Sequence, residues 1–157
     1  MLTATVEPLS LCVDEMLALI PAHYEEISEH KLRGIPLEPQ VETYLARDAA
    51  GQVIFIGLRD AGKLVGYHIS FVTPGLHYQT CLTAIGDIYF VYPDERGKRG
   101  GILLFKEWER ECKRRGVKLM SAGIKVRHAG QARRLLEIMG FMEAEIMFWK
   151  FLDEDKA

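Results

Sequence analysis

The chain has 157 residues, 48% of them hydrophobic and 27% charged, which suits one compact domain (1–157) with a sizeable core and excludes a disordered or fibrous chain. Its longest apolar runs, such as VIFIGL, are only strand-length, so no membrane span is expected, and the N-terminus lacks the basic-then-apolar pattern of a secretion signal. Cys12, Cys81 and Cys112 are widely spaced, with no CxxC and no histidine at zinc-ligand spacing; this points to a reducing, cytoplasmic setting and away from disulfides or a metal.

The formal net charge of −2 conceals an asymmetry. Residues 1–50 hold nine acidic side chains against three basic ones, whereas 96–134 hold thirteen basic against three acidic. Such a division suits a protein that handles an anion on one side, although solvated helix faces produce the same pattern.

In chain order, LTATVEP reads as a short first strand. From Leu11 to about His30 apolar residues recur at helical spacing (Met16, Leu19, Ile20, Tyr24, Ile27), with Pro21 interrupting. After the RGIP turn, LEPQVETYLARD predicts a second, short helix. The period then changes. VIFIGL and KLVGYHISFV are strands joined across RDAGK as a hairpin, the second half-buried with Val65, Tyr67, Ile69 and Phe71 on one side. TPG breaks it, and TAIGDIYFV is the next strand. GGILLFKEWERECKRRG is a helix burying Leu104, Phe105, Trp108 and Cys112, with a basic, solvated end at Lys113-Arg114-Arg115 and Gly116 as its stop. VKLMSAGI is a strand, HAGQARRLLEIMG a helix burying Ala132, Leu135, Leu136 and Met139, and FMEAEIMFWKFL a last strand with Trp149 in the core. DEDKA is a frayed tail. The order β-α-α-β-β-β-α-β-α-β describes an α/β fold with a mixed sheet between helices.

Between the third of these hairpin-region strands and the Leu104 helix lies YPDERGKRGGILL. A helix N-terminus carries unpaired N–H groups and a partial positive charge, and glycines let an anion approach them. The phosphate loop GxxxxGK[ST] is excluded because Arg99 follows Gly97-Lys98, and GxGxxG does not occur.

The remaining arrangement resembles the GNAT N-acetyltransferases, whose strand–[RQ]xxGx[GA]–helix holds the pyrophosphate of acetyl-coenzyme A. Val91-Tyr92-Pro93-Asp94-Glu95-Arg96-Gly97 matches V-x-P-x-x-R-G, and A-x-x-L-L-E-x-M-G-F runs from Ala132 to Phe141. The resemblance extends along nearly the whole chain and is strongest over 84–149. TPGLHY, followed by a strand carrying Asp87, is similar to a phage-associated subgroup. It implies the GNAT fold, a central and mostly antiparallel mixed sheet, and direct acetyl transfer from acetyl-CoA to a primary amine in a ternary complex. The amine it implies belongs to a small molecule or to a lysine or N-terminus of a protein. Two positions depart from the pattern: Arg99 stands where a glycine is expected, and Leu136 where many members carry the Tyr that protonates the leaving thiolate. They keep open a weak or inactive acyl-CoA-binding or virion-associated module. A nucleic-acid binder using the basic segment is disfavoured, since no nucleic-acid module is recognisable.

The resemblance assigns the cofactor to backbone groups near Phe90 and Val91, to the loop Arg96, Gly97, Lys98, Arg99, Gly100, Gly101 and Ile102, and to His128 at the start of the late helix. Asp87, a charge inside an apolar strand, is the first candidate for taking the amine's proton; by alternation it shares a face with Ile85 and Tyr89. His77, on a loop expected over the cleft, is the second. Tyr89 and Tyr92 are stand-ins for the missing acid, although a thiolate can also leave unassisted. His23, Tyr24 and Tyr78 are candidates for the acceptor side. No metal is expected. Many members of the family are homodimers, but the sequence offers no defined interface.

Overall fold

The computed structural model describes residues 1–152, the side chain of Gln131 excepted. The expected frayed tail lies outside the described residues. Strand β1 (Leu2–Val6) leads into helix α1 (Leu9–Ile27), a 3-10 turn at His30–Arg33 and helix α2 (Val41–Ala49). Strands β2 (Val53–Asp60), β3 (Lys63–Gly75) and β4 (Tyr78–Val91) follow, then helix α3 (Gly100–Arg114), strand β5 (Leu119–Ala122) and helix α4 (Ala129–Ile138). The sheet order is β1-β2-β3-β4-β5, antiparallel throughout except that β4 and β5 run parallel.

The β2–β3 hairpin turns on Ala61 (φ 46°) and Gly62 (φ 84°), the paired positive φ values of a primed turn whose twist matches its strands. α1 passes through Pro21 without a break. β3 likewise continues past the expected stop at TPG. Pro74 pairs with Leu82 of β4, and β3 has outrun β2 by then, so the missing N–H leaves no second ladder unfilled.

Two cores lie on opposite faces of the sheet. Helix α1 buries Leu9, Cys12, Met16 and Ile20 against Val53, Phe55, Tyr67, Ile69 and Phe90. Helix α3 buries Leu104, Phe105, Trp108 and Cys112 against Ile54, Ile56, Leu58 and Val65, with Leu136 of α4 beside them. β3 is therefore covered on both faces rather than half-buried. A register shift at Leu58/Arg59 also sends Val65 to the α3 side, opposite Tyr67 and Ile69.

The predicted last strand does not form. Residues 141–152 carry no regular structure, because β5 offers only four residues before the chain leaves the sheet at Gly123. Trp149 is consequently 53% exposed, not a core residue. Its ring stacks under the Lys125 ammonium at 3.8 Å, while Phe151 lies beneath the Arg33 guanidinium at 5.0 Å.

Candidate active site

β4 and β5 pair only from Thr83↔Leu119 to Gly86↔Ala122. Beyond Gly86, β4 continues to Val91 alone, and the two strands splay apart. The splay opens a cleft of about 2530 Å³, well above the ~300–1,000 Å³ of single-ligand pockets. Its walls come from α1, α2, β4, the loop before α3, β5 and α4, with the 141–152 segment across them.

The β3–β4 register fixes what faces the splay. Ile69 pairs with Ile88, but Ser70 pairs with Gly86, so Asp87 is the extra residue of a β-bulge. The bulge breaks the expected alternation. Asp87 keeps to the side of Ile85 and of α2, where the Tyr44 hydroxyl donates to its Oδ2 at 2.5 Å. Tyr89 is turned to the other side, beside His68 and Phe105, and its hydroxyl donates to the carbonyl of Gly123 at 3.3 Å. Burial pushes the Tyr89 phenol up to about 12, so it keeps its proton at neutral pH.

Backbone groups follow the same alternation. The Tyr92 N–H donates to Val65, which makes Phe90↔Tyr67 a hydrogen-bonded pair and directs the Phe90 amide at β3. The amides of Tyr89 and Val91 point into the splay. Of the pair expected there, Val91 turns its amide to the splay and Phe90 does not.

At the end of β4 the chain turns through Pro93–Glu95 into the N-terminus of α3. Gly97 has φ 82° and Arg99, the N-cap of α3, has φ 66°. Arg99 thus adopts the left-handed conformation that a glycine would take, at a cost of roughly 1–2 kcal/mol. The loop keeps its course, and the Arg99 side chain is exposed and makes no ion pair among the described residues. Gly100 is buried: a Cβ there would stand 2.7 Å from Leu58 Cδ2 and 3.4 Å from Val91 Cγ1, so its lack of a side chain lets α3 settle on the sheet with its first N–H groups toward the cleft. Gly101 and Ile102 line the cleft. Arg96 does not offer its guanidinium freely. It forms two hydrogen bonds to Glu26 of α1 (2.9 and 2.5 Å) and one to the Val91 carbonyl (2.9 Å). Lys98 pairs with Glu95 at 2.8 Å and points to the opposite side, toward Met1 and Asp60.

The other expected residues divide. His23 is 6% exposed, accepts or donates at Nδ1 to the Tyr67 hydroxyl (2.9 Å) and stacks on Phe90 at 4.8 Å; burial pushes it down to about 4. It lines the cleft as a neutral ring. Tyr24 lines it too, but its hydroxyl is committed to the Ile35 carbonyl at 2.5 Å. His128, the exposed N-cap of α4, also lines the cleft. His77 and Tyr78 sit instead at the exposed tip of the β3–β4 hairpin, outside the cleft lining, because that hairpin extends where a cleft loop was expected. Tyr92 likewise lies outside the lining.

Two groups escaped the sequence reading. His68, 0% exposed and pushed down to about 3 by burial, lies 4.2 Å from the Trp108 ring centroid; both its ring nitrogens, Ser70 Oγ and Trp108 Nε1 lack hydrogen-bond partners among the described residues. Its place in an alternating strand suggested an outward face. Tyr44 carried no signal linking it to a carboxylate 43 positions away.

The basic excess is largely consumed internally. Arg110, Lys113, Arg114, Arg115 and Arg127 pair with Glu107, Glu109, Glu111, Glu111 and Glu29. Arg115 is no solvated helix end, since it also donates to the carbonyls of Gly51 and Val53. Among the described residues no cluster of His, Cys, Asp and Glu is arranged to hold a metal ion.

This fold is shared with solved acetyltransferases. The chain has the GNAT acyltransferase fold. An aminoglycoside acetyltransferase from an uncultured soil metagenomic sample, solved with trehalose and with sisomicin, superposes with a TM-score of 0.76 at 13% identity, covering 97% of each chain. The ribosomal-protein-alanine N-acetyltransferase of Brucella melitensis biovar Abortus 2308 gives 0.67 at 16% identity, over 98% of this chain and 99% of that one. AAC(6')-Iy in complex with the bisubstrate analogue CoA-S-monomethyl-acetylneamine gives 0.68 at 12%, over 96% and 98%. No protein-family model and no curated protein matches the sequence.

Proposed function

We propose that the protein is an N-acetyltransferase that moves the acetyl group of acetyl-CoA directly to an amine. The observation that carries this reading is the bulge at Asp87, which sets a carboxylate on one wall of the β4–β5 splay and a protonated phenol on the other. The N-terminus of α3 stands at the same opening.

The first N–H groups of α3, at Gly100, Gly101 and Ile102, together with the loop from Arg96 to Arg99, hold the pyrophosphate. Backbone amides at the helix start supply the attraction that Arg96 and Lys98, both paired elsewhere, do not. The pantetheine arm lies along β4, where the outward amides of Tyr89 and Val91 bond to it and polarise the thioester carbonyl as the oxyanion forms. His128 borders the cofactor from α4, and His23 and Tyr24 border the acceptor from α1.

The acceptor amine arrives as an ammonium. Asp87 takes one of its protons, directly or through water, and the freed lone pair attacks the thioester carbon. As the tetrahedral intermediate collapses, its nitrogen gives its remaining extra proton to water and the C–S bond breaks. Tyr89, placed on the cofactor side and holding its proton, delivers it to the departing thiolate in place of the tyrosine that Leu136 displaces. Two of the acidic side chains lining the cleft, Glu26 and Glu29, are bonded to Arg96 and Arg127; Asp87, with the exposed Glu38 before α2, offers carboxylate to a cationic acceptor of the kind the aminoglycoside enzymes are named for.

Thermal unfolding with and without acetyl-CoA tests the binding half, with ATP as an anion control. At about 100 times its dissociation constant the cofactor should add roughly 2.7 kcal/mol, a shift of several degrees. A shift with ATP alone, or none with either, would remove the reading.

A further inference from the structure

We infer that Tyr44 is a positioning residue for the Asp87 carboxylate, holding Oδ2 and leaving Oδ1 to meet the acceptor. The inference rests on the reading of Asp87 as the group that takes the amine's proton.

A bulge residue has no opposite number across the ladder, so the strand pairing that orients its neighbours does not orient Asp87. A free aspartate at such a point would sample several rotamers. The Tyr44 hydroxyl, coming from α2 at 2.5 Å, supplies the missing constraint. The phenol is itself fixed. Its ring packs on Phe71 with centroids 5.6 Å apart, and the Arg47 guanidinium covers the far part of that ring at 4.7 Å. Oδ1 has no hydrogen-bond partner among the described residues.

Burial, and then the neighbouring Asp87 carboxylate, push the Tyr44 phenol above its ordinary range, so it stays a donor wherever Asp87 is ionised. The polar groups facing this pair are Arg47 from α2 and Tyr67 from β3, whose hydroxyl is bonded to His23 of α1. None of them is a second donor to Asp87 among the described residues.

The test is carboxyl-13C NMR of the whole chain at neutral pH, with the Asp87 resonance assigned by its loss in Asp87→Asn. Tyr44→Phe keeps the ring on Phe71 and removes only the hydroxyl. The Asp87 resonance should then move, and turnover should fall about tenfold with the KM for acetyl-CoA unchanged. A resonance that stays in place would overturn the inference, and no acceptor is needed to see it. Turnover separates the positioning role from the base assignment. If Asp87→Asn keeps full acetyl transfer, the base assignment is wrong even where the resonance moves. If Asp87→Asn abolishes transfer and the resonance stays put, Tyr44 is packing alone.

Discussion

Asp87 and Tyr89 stand two places apart on β4, where an unbroken strand would set them on one face, yet they face opposite sides of the sheet. The register slip between Ile69↔Ile88 and Ser70↔Gly86 inserts one residue and reverses the alternation. A single backbone irregularity thereby turns the carboxylate toward α2 and the phenol toward α3.

If Asp87 takes the amine's proton, Asp87→Asn should lower turnover by about 10²-fold or more while the acetyl-CoA-dependent thermal shift is kept. Steady-state rates across pH decide it. An unchanged rate at every pH removes Asp87 from the mechanism.

Tyr89→Phe preserves the ring beside His68 and Phe105 and removes only the proton that would reach the thiolate. Turnover should fall by about 10²-fold with little change in the KM for acetyl-CoA. Full activity would mean that the thiolate leaves without help and that Leu136 marks a chemistry with no side-chain acid.

Gly100 is where α3 meets the sheet. Gly100→Val forces a branched side chain against Leu58 and Val91 and should cost about 1–3 kcal/mol, read as a lower Tm, with weaker acetyl-CoA binding as the helix start lifts. Unaltered stability and affinity would show that the loop does not need this close approach.

The buried histidines set an acid limit. His23 and His68 bind a proton near pH 6.5 when unfolded, but only near 4 and 3 in the fold, because burial disfavours the charged ring. Their stabilising effect is complete above about pH 6.5 and is lost as pH falls through the interval below it. Each contributes a slope of up to about 1.4 kcal/mol per pH unit there. His68→Phe should flatten the decline between pH 6 and 4, since it removes the titrating ring, whose nitrogens find no partner among the described residues. Equal slopes in both proteins would contradict this.

Much of the fold was legible because local signals agreed with it. The helical spacing of Leu104, Phe105, Trp108 and Cys112 and the Ala61-Gly62 turn both act over a few residues, and both appear where expected. What depends on distant partners was not legible. The face of Tyr89 is decided by a slip in pairing with β3, and His68 is buried because α3 covers a face that alternation alone leaves open. Trp149 looks like a core residue by composition, but its segment finds no edge on the four-residue β5. Charge was only partly legible: the basic segment reads as an anion-binding surface or a solvated helix face, and most of its arginines are bonded to glutamates of the same chain.

The central claim is tested most directly by release of free coenzyme A thiol from acetyl-CoA, with sisomicin, glucosamine 6-phosphate and a peptide with an N-terminal alanine as acceptors, in the wild type and in Asp87→Asn. Amine-dependent release with at least one acceptor, fastest with the polycationic one and suppressed in Asp87→Asn, is the predicted result. Release that stays at the amine-free rate with every acceptor, in a protein that acetyl-CoA stabilises, would contradict the acetyltransferase reading and leave a binding module on the same fold.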